Sequence, residues 1–144
     1  MPIVIGVCGP SGSGKTTLIE RLLPRLASRG LTVGVIKHTH HDVSLDQPGK
    51  DSWRFWQAGA ETVAVASPGE LMLRQRREAS LSEALAHLPS ALDYLIVEGF
   101  SRQHGGAGDE VSLRLELQGQ HVIVNGRAIH RDDLDAVEEV VLTC

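Results

Sequence analysis

Residues 9–16 read Gly-Pro-Ser-Gly-Ser-Gly-Lys-Thr and match GxxxxGK[ST] at every fixed position. That spacing follows from what a polyphosphate needs. Gly9, Gly12 and Gly14 allow a tight turn that aims backbone N–H groups inward at the phosphates. Lys15 supplies a mobile ammonium for the β and γ phosphates, and the Thr16 hydroxyl is a ligand for Mg²⁺. The start of the following helix adds its partial positive charge. A glycine-serine linker that contained Lys-Thr by chance would lack the apolar run before and the helical run after, and this loop has both.

Phosphate chemistry also requires a carboxylate that holds Mg²⁺, commonly through water, at the end of a neighbouring strand. Asp93 and Glu98 bracket the apolar run Tyr94-Leu95-Ile96-Val97. They lie roughly 16 Å apart along an extended chain, so only one can reach the metal. The site belongs at the carboxyl end, which selects Glu98, with Gly99 permitting close backbone approach. Between residues 37 and 49 the chain is polar, KHTHHDVSLDQPG, and there Asp46 is the better carboxylate for Mg²⁺ or for positioning water. His38, His40 and His41, beside Asp42 and Asp46, are a candidate transition-metal group, but HxHH in a loop is no specific zinc signature. Hydrogen bonding to a nucleotide or second substrate, or plain solvent exposure, are the alternatives.

The elements that must hold these residues follow from periodicity. Ile3 to Cys8 is a buried strand, Thr16 to Ser28 has helical spacing with Pro24 as a kink or break, and Leu31 to Ile36 is a second buried strand, completing a right-handed β-α-β unit. Lys50 to Ala60 reads as a helix that carries Trp53, Phe55 and Trp56, with core packing as their first reading. Glu61–Ala66 and Leu71–Arg74 flank Pro68-Gly69, which suits a type II turn in an antiparallel hairpin, and the arginines Arg74, Arg76 and Arg77 read as its solvated edge. Ala79 to Leu88 is a short helix and Asp93 to Glu98 a third buried strand. A glycine-rich loop, 101–109, leads to runs 111–117, 121–124 and 127–129, with Asn125-Gly126 as a strong hairpin signal. A brief helix from Asp132 and an apolar run, Val140 to Leu142, follow.

Composition narrows the class. A chain of 144 residues suits a single nucleotide-binding domain over 1–144 that needs no metal or disulfide to hold it, and its two cysteines, Cys8 and Cys144, imply no disulfide framework. With no basic leader and no apolar stretch of membrane-spanning length, the expectation is a cytoplasmic protein without membrane association. A net charge of -4 without a basic block argues against nucleic acid as the main partner. Eleven arginines stand against three lysines, and Lys15, Lys37 and Lys50 all fall in segments expected near the phosphates, which favours a compact ammonium at each.

Three segments in this order, GPSGSGKTTL, KHTHHDVSLDQPGKDSWRFWQAGA and DYLIVEGF, resemble the MobB family, the P-loop GTP-binding proteins of molybdenum-cofactor guanine dinucleotide synthesis. The resemblance runs from about residue 3 to residue 101, and its middle segment is far more specific than the phosphate loop. It implies a three-layer α/β P-loop NTPase fold with a mainly parallel sheet, an antiparallel hairpin and a short C-terminal β meander. It further implies GTP and Mg²⁺ as ligands, slow GTP hydrolysis, a homodimer, and partnership with molybdopterin and a MobA-like guanylyltransferase. Carried over by position, Gly12, Ser13, Gly14, Lys15, Thr16 and Thr17 bind phosphates. Asp46 and Glu98 join Thr16 near Mg²⁺, and Lys37, His38, Lys50 and Asp51 face the site. Catalytic roles then fall to Lys15, Asp46 and Glu98.

The last forty residues depart from the family pattern, which usually continues with a further strand and a loop for the guanine base, and no [NT]KxD guanine signature occurs. The expectation is a preference for GTP over ATP weaker than in [NT]KxD proteins. Asp132 or Asp133, or a partner subunit, would face the N1 and N2 donors of guanine. The competing classes are a small-molecule kinase, a metal-delivery GTPase using the His38/His40/His41 loop, and a nucleotide-binding protein without turnover.

Overall fold

A computed structural model of the chain describes residues 1–39, 45–77, 80–99 and 110–144. Its elements are β1 (Ile3–Cys8), α1 (Lys15–Ser28), β2 (Val33–Lys37), α2 (Asp51–Gln57), β3 (Thr62–Ser67), β4 (Glu70–Gln75), α3 (Leu81–Ala86), β5 (Tyr94–Glu98), β6 (Leu113–Gln118), β7 (His121–Val124), β8 (Arg127–His130) and α4 (Leu134–Leu142). They pack as two compact units, one from residues 1–39 and 80–144, the other from residues 40–79. No described helix is long and apolar enough to cross a membrane. His40, His41 and Asp42 of the histidine loop, and the glycine-rich loop 101–109, lie outside the described residues.

The larger unit holds a six-stranded sheet of order β2-β5-β1-β6-β7-β8. The first four strands run parallel, and β7 and β8 return antiparallel. Strands β1 and β5 are apolar without interruption because both of their faces are covered. Ile5, Val7 and Ile96 pack with Leu18, Leu22 and Leu26 of α1 and Val137 and Val141 of α4. Val4, Leu95 and Val97 point the other way, onto Leu81 and Leu85 of α3. This gives three layers. Strand β6 instead alternates, burying Leu113, Leu115 and Leu117 on the α1/α4 side, as expected where only one face is covered.

Helix α1 continues through Pro24, so of the kink or break expected there the break does not occur. Buried Leu22 and Leu26 flank the proline and seat the helix on both sides of the missing N–H. Ser80 starts α3 with a complete capping box to Glu83. Asn125 and Gly126 have φ of 49° and 80°, as a two-residue hairpin of type I′ requires. The run Val140 to Leu142 is the last turn of α4 and not a separate segment, with Asp133 as N-cap.

In the smaller unit β3 and β4 form the expected antiparallel hairpin. Gly69 does not have the positive φ that the expected type II turn demands. Nor do the aromatics of α2 form a core: Trp53 and Trp56 are half-buried and Phe55 is exposed. The reason is the arginines read as a solvated edge. Arg74 and Arg76 place their guanidinium carbons 3.8 and 4.0 Å from the Trp56 ring centroid, and Arg76 also donates to the Trp56 carbonyl. Cation–π contact thus ties α2 to β4.

Candidate nucleotide-binding site

The strand order builds the site. Because β5 lies between β1 and β2, Glu98 stands in register with Val7 on one side and Lys37 on the other. Three carboxyl ends meet at one edge, directly beside the loop that follows β1. β1 and β5 are held there by buried runs, whereas β2, expected to be buried, is the edge strand and has no fully buried residue, with Val35 exposed. The His38 N–H donates to the Glu98 carbonyl at 2.8 Å. Gly99 turns the chain away with φ of 96°, so close to β2 that a Cβ there would sit 2.5 Å from the His38 carbonyl oxygen.

Across this edge, the Thr16 hydroxyl lies 3.2 and 3.3 Å from the two carboxylate oxygens of Glu98, which is buried. Lys15 folds its ammonium back over the loop and donates to the carbonyls of Gly9 and Pro10 at 2.9 and 2.8 Å. An ammonium has three donors, so one is left for a ligand. A cavity of about 360 Å³ opens among Gly12, Gly14, Lys15, Thr16, Thr17, Lys37 and Glu98.

The arrangement fits a polyphosphate. Helix α1 begins at Lys15 after the N-cap Gly14, with no side-chain cap and no acidic residue in its first turn, so no capping side chain competes with a ligand for its leading N–H groups. Gly12 has φ of 73° and nothing within 4 Å of its missing Cβ, and the Ser13 hydroxyl is buried without a partner. It also fits Mg²⁺, since a hydroxyl and a carboxylate at hydrogen-bond distance are the hard oxygen donors that this ion takes alongside phosphate and water. Among the described residues no group of three or more His, Cys, Asp or Glu could hold a metal.

Gly12, Gly14, Lys15, Thr16, Thr17, Lys37 and Glu98 therefore line one cavity, with Ser13 in the same loop and His38 next along the chain. Asp46, Lys50 and Asp51 are placed by the smaller unit, where Asp46 accepts from the Gln47 N–H and the Ser52 hydroxyl at 2.8 and 3.1 Å, and Lys50 and Asp51 begin α2. Asp93 has a different task at the far end of β5. It accepts from both the N–H and the hydroxyl of Thr32 at 2.7 Å, and the backbone bond above all holds its carboxyl below the usual carboxylate range. Cys8, at the end of β1, is a thiol pushed up by burial.

Sequence reasoning missed Arg131. Its Nη1 donates to the Ser13 carbonyl at 3.4 Å and lies 3.2 Å from the position a Gly14 Cβ would take. The contact spans most of the chain and has no local pattern. Beside it runs a row of ion pairs that join α1 and its C-cap Arg29 to α4 and the turn before it. Arg21 donates to Asp132 at 2.7 Å, Arg25 to Asp135, and Arg25 and Arg29 both to buried Glu138 at 2.5 Å. Hydrogen bonds from Arg29 and then Arg25 hold the Glu138 carboxyl low, and Arg21 does the same for Asp132.

Comparison with known proteins agrees with this geometry. Residues 4–111 match the family model for molybdopterin guanine dinucleotide synthesis protein B, MobB. The chain is 41% identical over 103 residues to a molybdopterin-guanine dinucleotide biosynthesis adapter protein of Haemophilus influenzae, covering 69% of this chain and 58% of that one. It is 43% identical over 98 residues to the adapter protein of Escherichia coli, covering 65% and 56%. It thus spans a little over half the length of these relatives. The crystal structure of Bacillus subtilis MobB superposes with a TM-score of 0.67 at 29% identity, covering 99% of this chain and 97% of that one. With the family model covering most of the chain, the chain belongs to the MobB family.

Proposed function

We propose that the protein is a Mg²⁺-dependent GTP-binding adapter with slow GTP hydrolysis in the synthesis of molybdopterin guanine dinucleotide. It would act in the cytoplasm as a homodimer beside the guanylyltransferase that joins GMP to molybdopterin. The single observation that carries the nucleotide reading is the Thr16 hydroxyl 3.2 Å from Glu98 across the edge of a P-loop. Family membership and the adapter relatives support the pathway.

The chain's own residues have distinct tasks. Loop N–H groups and the α1 terminus bind phosphate oxygens, and Lys15 uses its remaining donor on the same group. Thr16 and Glu98 would hold Mg²⁺, which when bound neutralises charge on the β and γ oxygens. Lys37, beside Glu98 in register, offers a second cation at the γ end. Calorimetry with GTP, ATP and their Mg²⁺ complexes tests the reading. The expected result is Mg²⁺-dependent binding with GTP moderately favoured over ATP, both for the isolated protein and with the guanylyltransferase present. Equal affinities in both settings would remove GTP from the assignment.

A further inference from the structure

A second cavity, of about 250 Å³, lies on the other side of the phosphate loop and shares Gly12, Gly14 and Thr17 with the first. Its remaining walls are Leu18, Arg21, Arg131 and Asp132, the last two from beyond the family-matched segment. Its volume falls just below the range of about 300–1,000 Å³ typical of pockets for drug-sized ligands, which suits a base better than a whole nucleotide.

We infer that this cavity is the nucleoside end of the site, with Asp132 as the residue that selects guanine. The inference rests on the phosphate-loop reading and goes beyond it by naming the base contact. Guanine presents two donors on one edge, N1–H and the N2 amino group, whereas adenine presents an acceptor at N1. A carboxylate, which only accepts, matches the first and repels the second. Asp132 spends one oxygen on Arg21 at 2.7 Å, which fixes its orientation, while among the described residues its Oδ2 has the His130 ring nitrogen near it, at 3.9 Å. Asp133, the other acidic candidate, is spent: it caps α4 by accepting from the Ala136 N–H at 3.2 Å, and it does not line the cavity. Arg131 secures the arrangement by bonding the phosphate loop at Ser13, so that the phosphate and base ends are held at a fixed spacing. A cation tied to the loop and an acid at the next position thus do the work for which no [NT]KxD segment is present.

The test uses the full chain with Mg²⁺ and four probes: GTP, XTP, ATP and inorganic tripolyphosphate. Xanthine carries a carbonyl where guanine carries the N2 amino group, so an amide in place of the carboxylate should reverse the preference. Asp132→Asn is expected to lose about tenfold in GTP affinity and to favour XTP over GTP, with tripolyphosphate binding unchanged. Asp133→Asn is expected to lower the melting temperature through the lost cap and to leave the GTP-to-XTP ratio alone. An unchanged ratio in Asp132→Asn, with tripolyphosphate still bound, would overturn the base contact and leave the phosphate loop standing. No binding of tripolyphosphate to the unaltered protein would overturn both.

Discussion

Replacing Gly99 by alanine tests whether the site is held by the meeting of β2 and β5. Two costs are expected. The φ of 96° lies in a region that L residues avoid, at about 1–2 kcal/mol. The added Cβ would also stand 2.5 Å from a backbone oxygen of His38, and backbone cannot swing aside as a side chain does. The edge must part, straining the 2.8 Å bond from the His38 N–H to the Glu98 carbonyl, worth about 1 kcal/mol. The sum is about 2–3 kcal/mol. Gly119→Ala is the internal reference: its φ is 58° and nothing lies within 4 Å of its missing Cβ, so it should lose only about 1–2 kcal/mol. Urea denaturation monitored by circular dichroism measures both variants. Gly99→Ala should lose more than Gly119→Ala and alone weaken Mg-nucleotide binding, because Glu98 and Lys37 move with the edge. Equal losses with intact binding in both would refute the account of how that edge is built.

Lys15→Ala is expected to abolish Mg-nucleotide binding in calorimetry with a melting curve near that of the unaltered protein, since charge-assisted bonds to phosphate are worth about 1.5–3 kcal/mol each and the ammonium packs no core. Glu98→Gln should weaken the Mg²⁺ dependence of binding, and Asp93→Asn should instead lower stability by loosening Thr32 without touching that dependence; the opposite ranking would contradict the register of β5. Stability should fall in acid partly through Glu138. Its folded pKa is depressed, so its contribution is full above the unfolded value of about 4.3 and is lost as pH falls through the lower folded one. Urea midpoints at pH 6 and pH 3.5 should therefore differ less for Glu138→Gln than for the unaltered protein, and an equal drop would mean that the Arg25/Arg29 pairing contributes nothing.

Much of the larger unit was legible because its residues obey one local rule each. Buried strands β1 and β5 are unbroken apolar runs, glycine spacing reveals the phosphate loop, and Asn125-Gly126 marks the hairpin. The position of Glu98 at the strand end followed from the length of that run. What could not be read are contacts whose logic is not local. Trp56 looks like a core residue until Arg74 and Arg76 are seen to clasp it from another element. Pro24 reads as a kink or break because sequence shows the missing N–H and the spacing of Leu22 and Leu26 but not how fully those leucines are buried. Arg131 belongs to no motif; its meaning comes from the loop it touches 118 residues earlier.

The insertion of β5 between β1 and β2 also orders events in time. The phosphate loop and its lysine are synthesised early, yet the carboxylate that meets Thr16 lies 82 residues later. At about 5–20 residues per second, translation adds a lag of about 4–16 s between the two. Until β5 arrives, β1 and β2 have no strand to join them and no edge on which Thr16 and Glu98 can face one another. A nascent chain arrested before residue 94 would carry the whole GxxxxGK[ST] sequence and still lack the contact between Thr16 and Glu98. Completion of this edge thereby waits on the pairing of Ile3 in β1 with Tyr94 in β5, so a nucleotide held there with Mg²⁺ would report that this long-range pairing has formed.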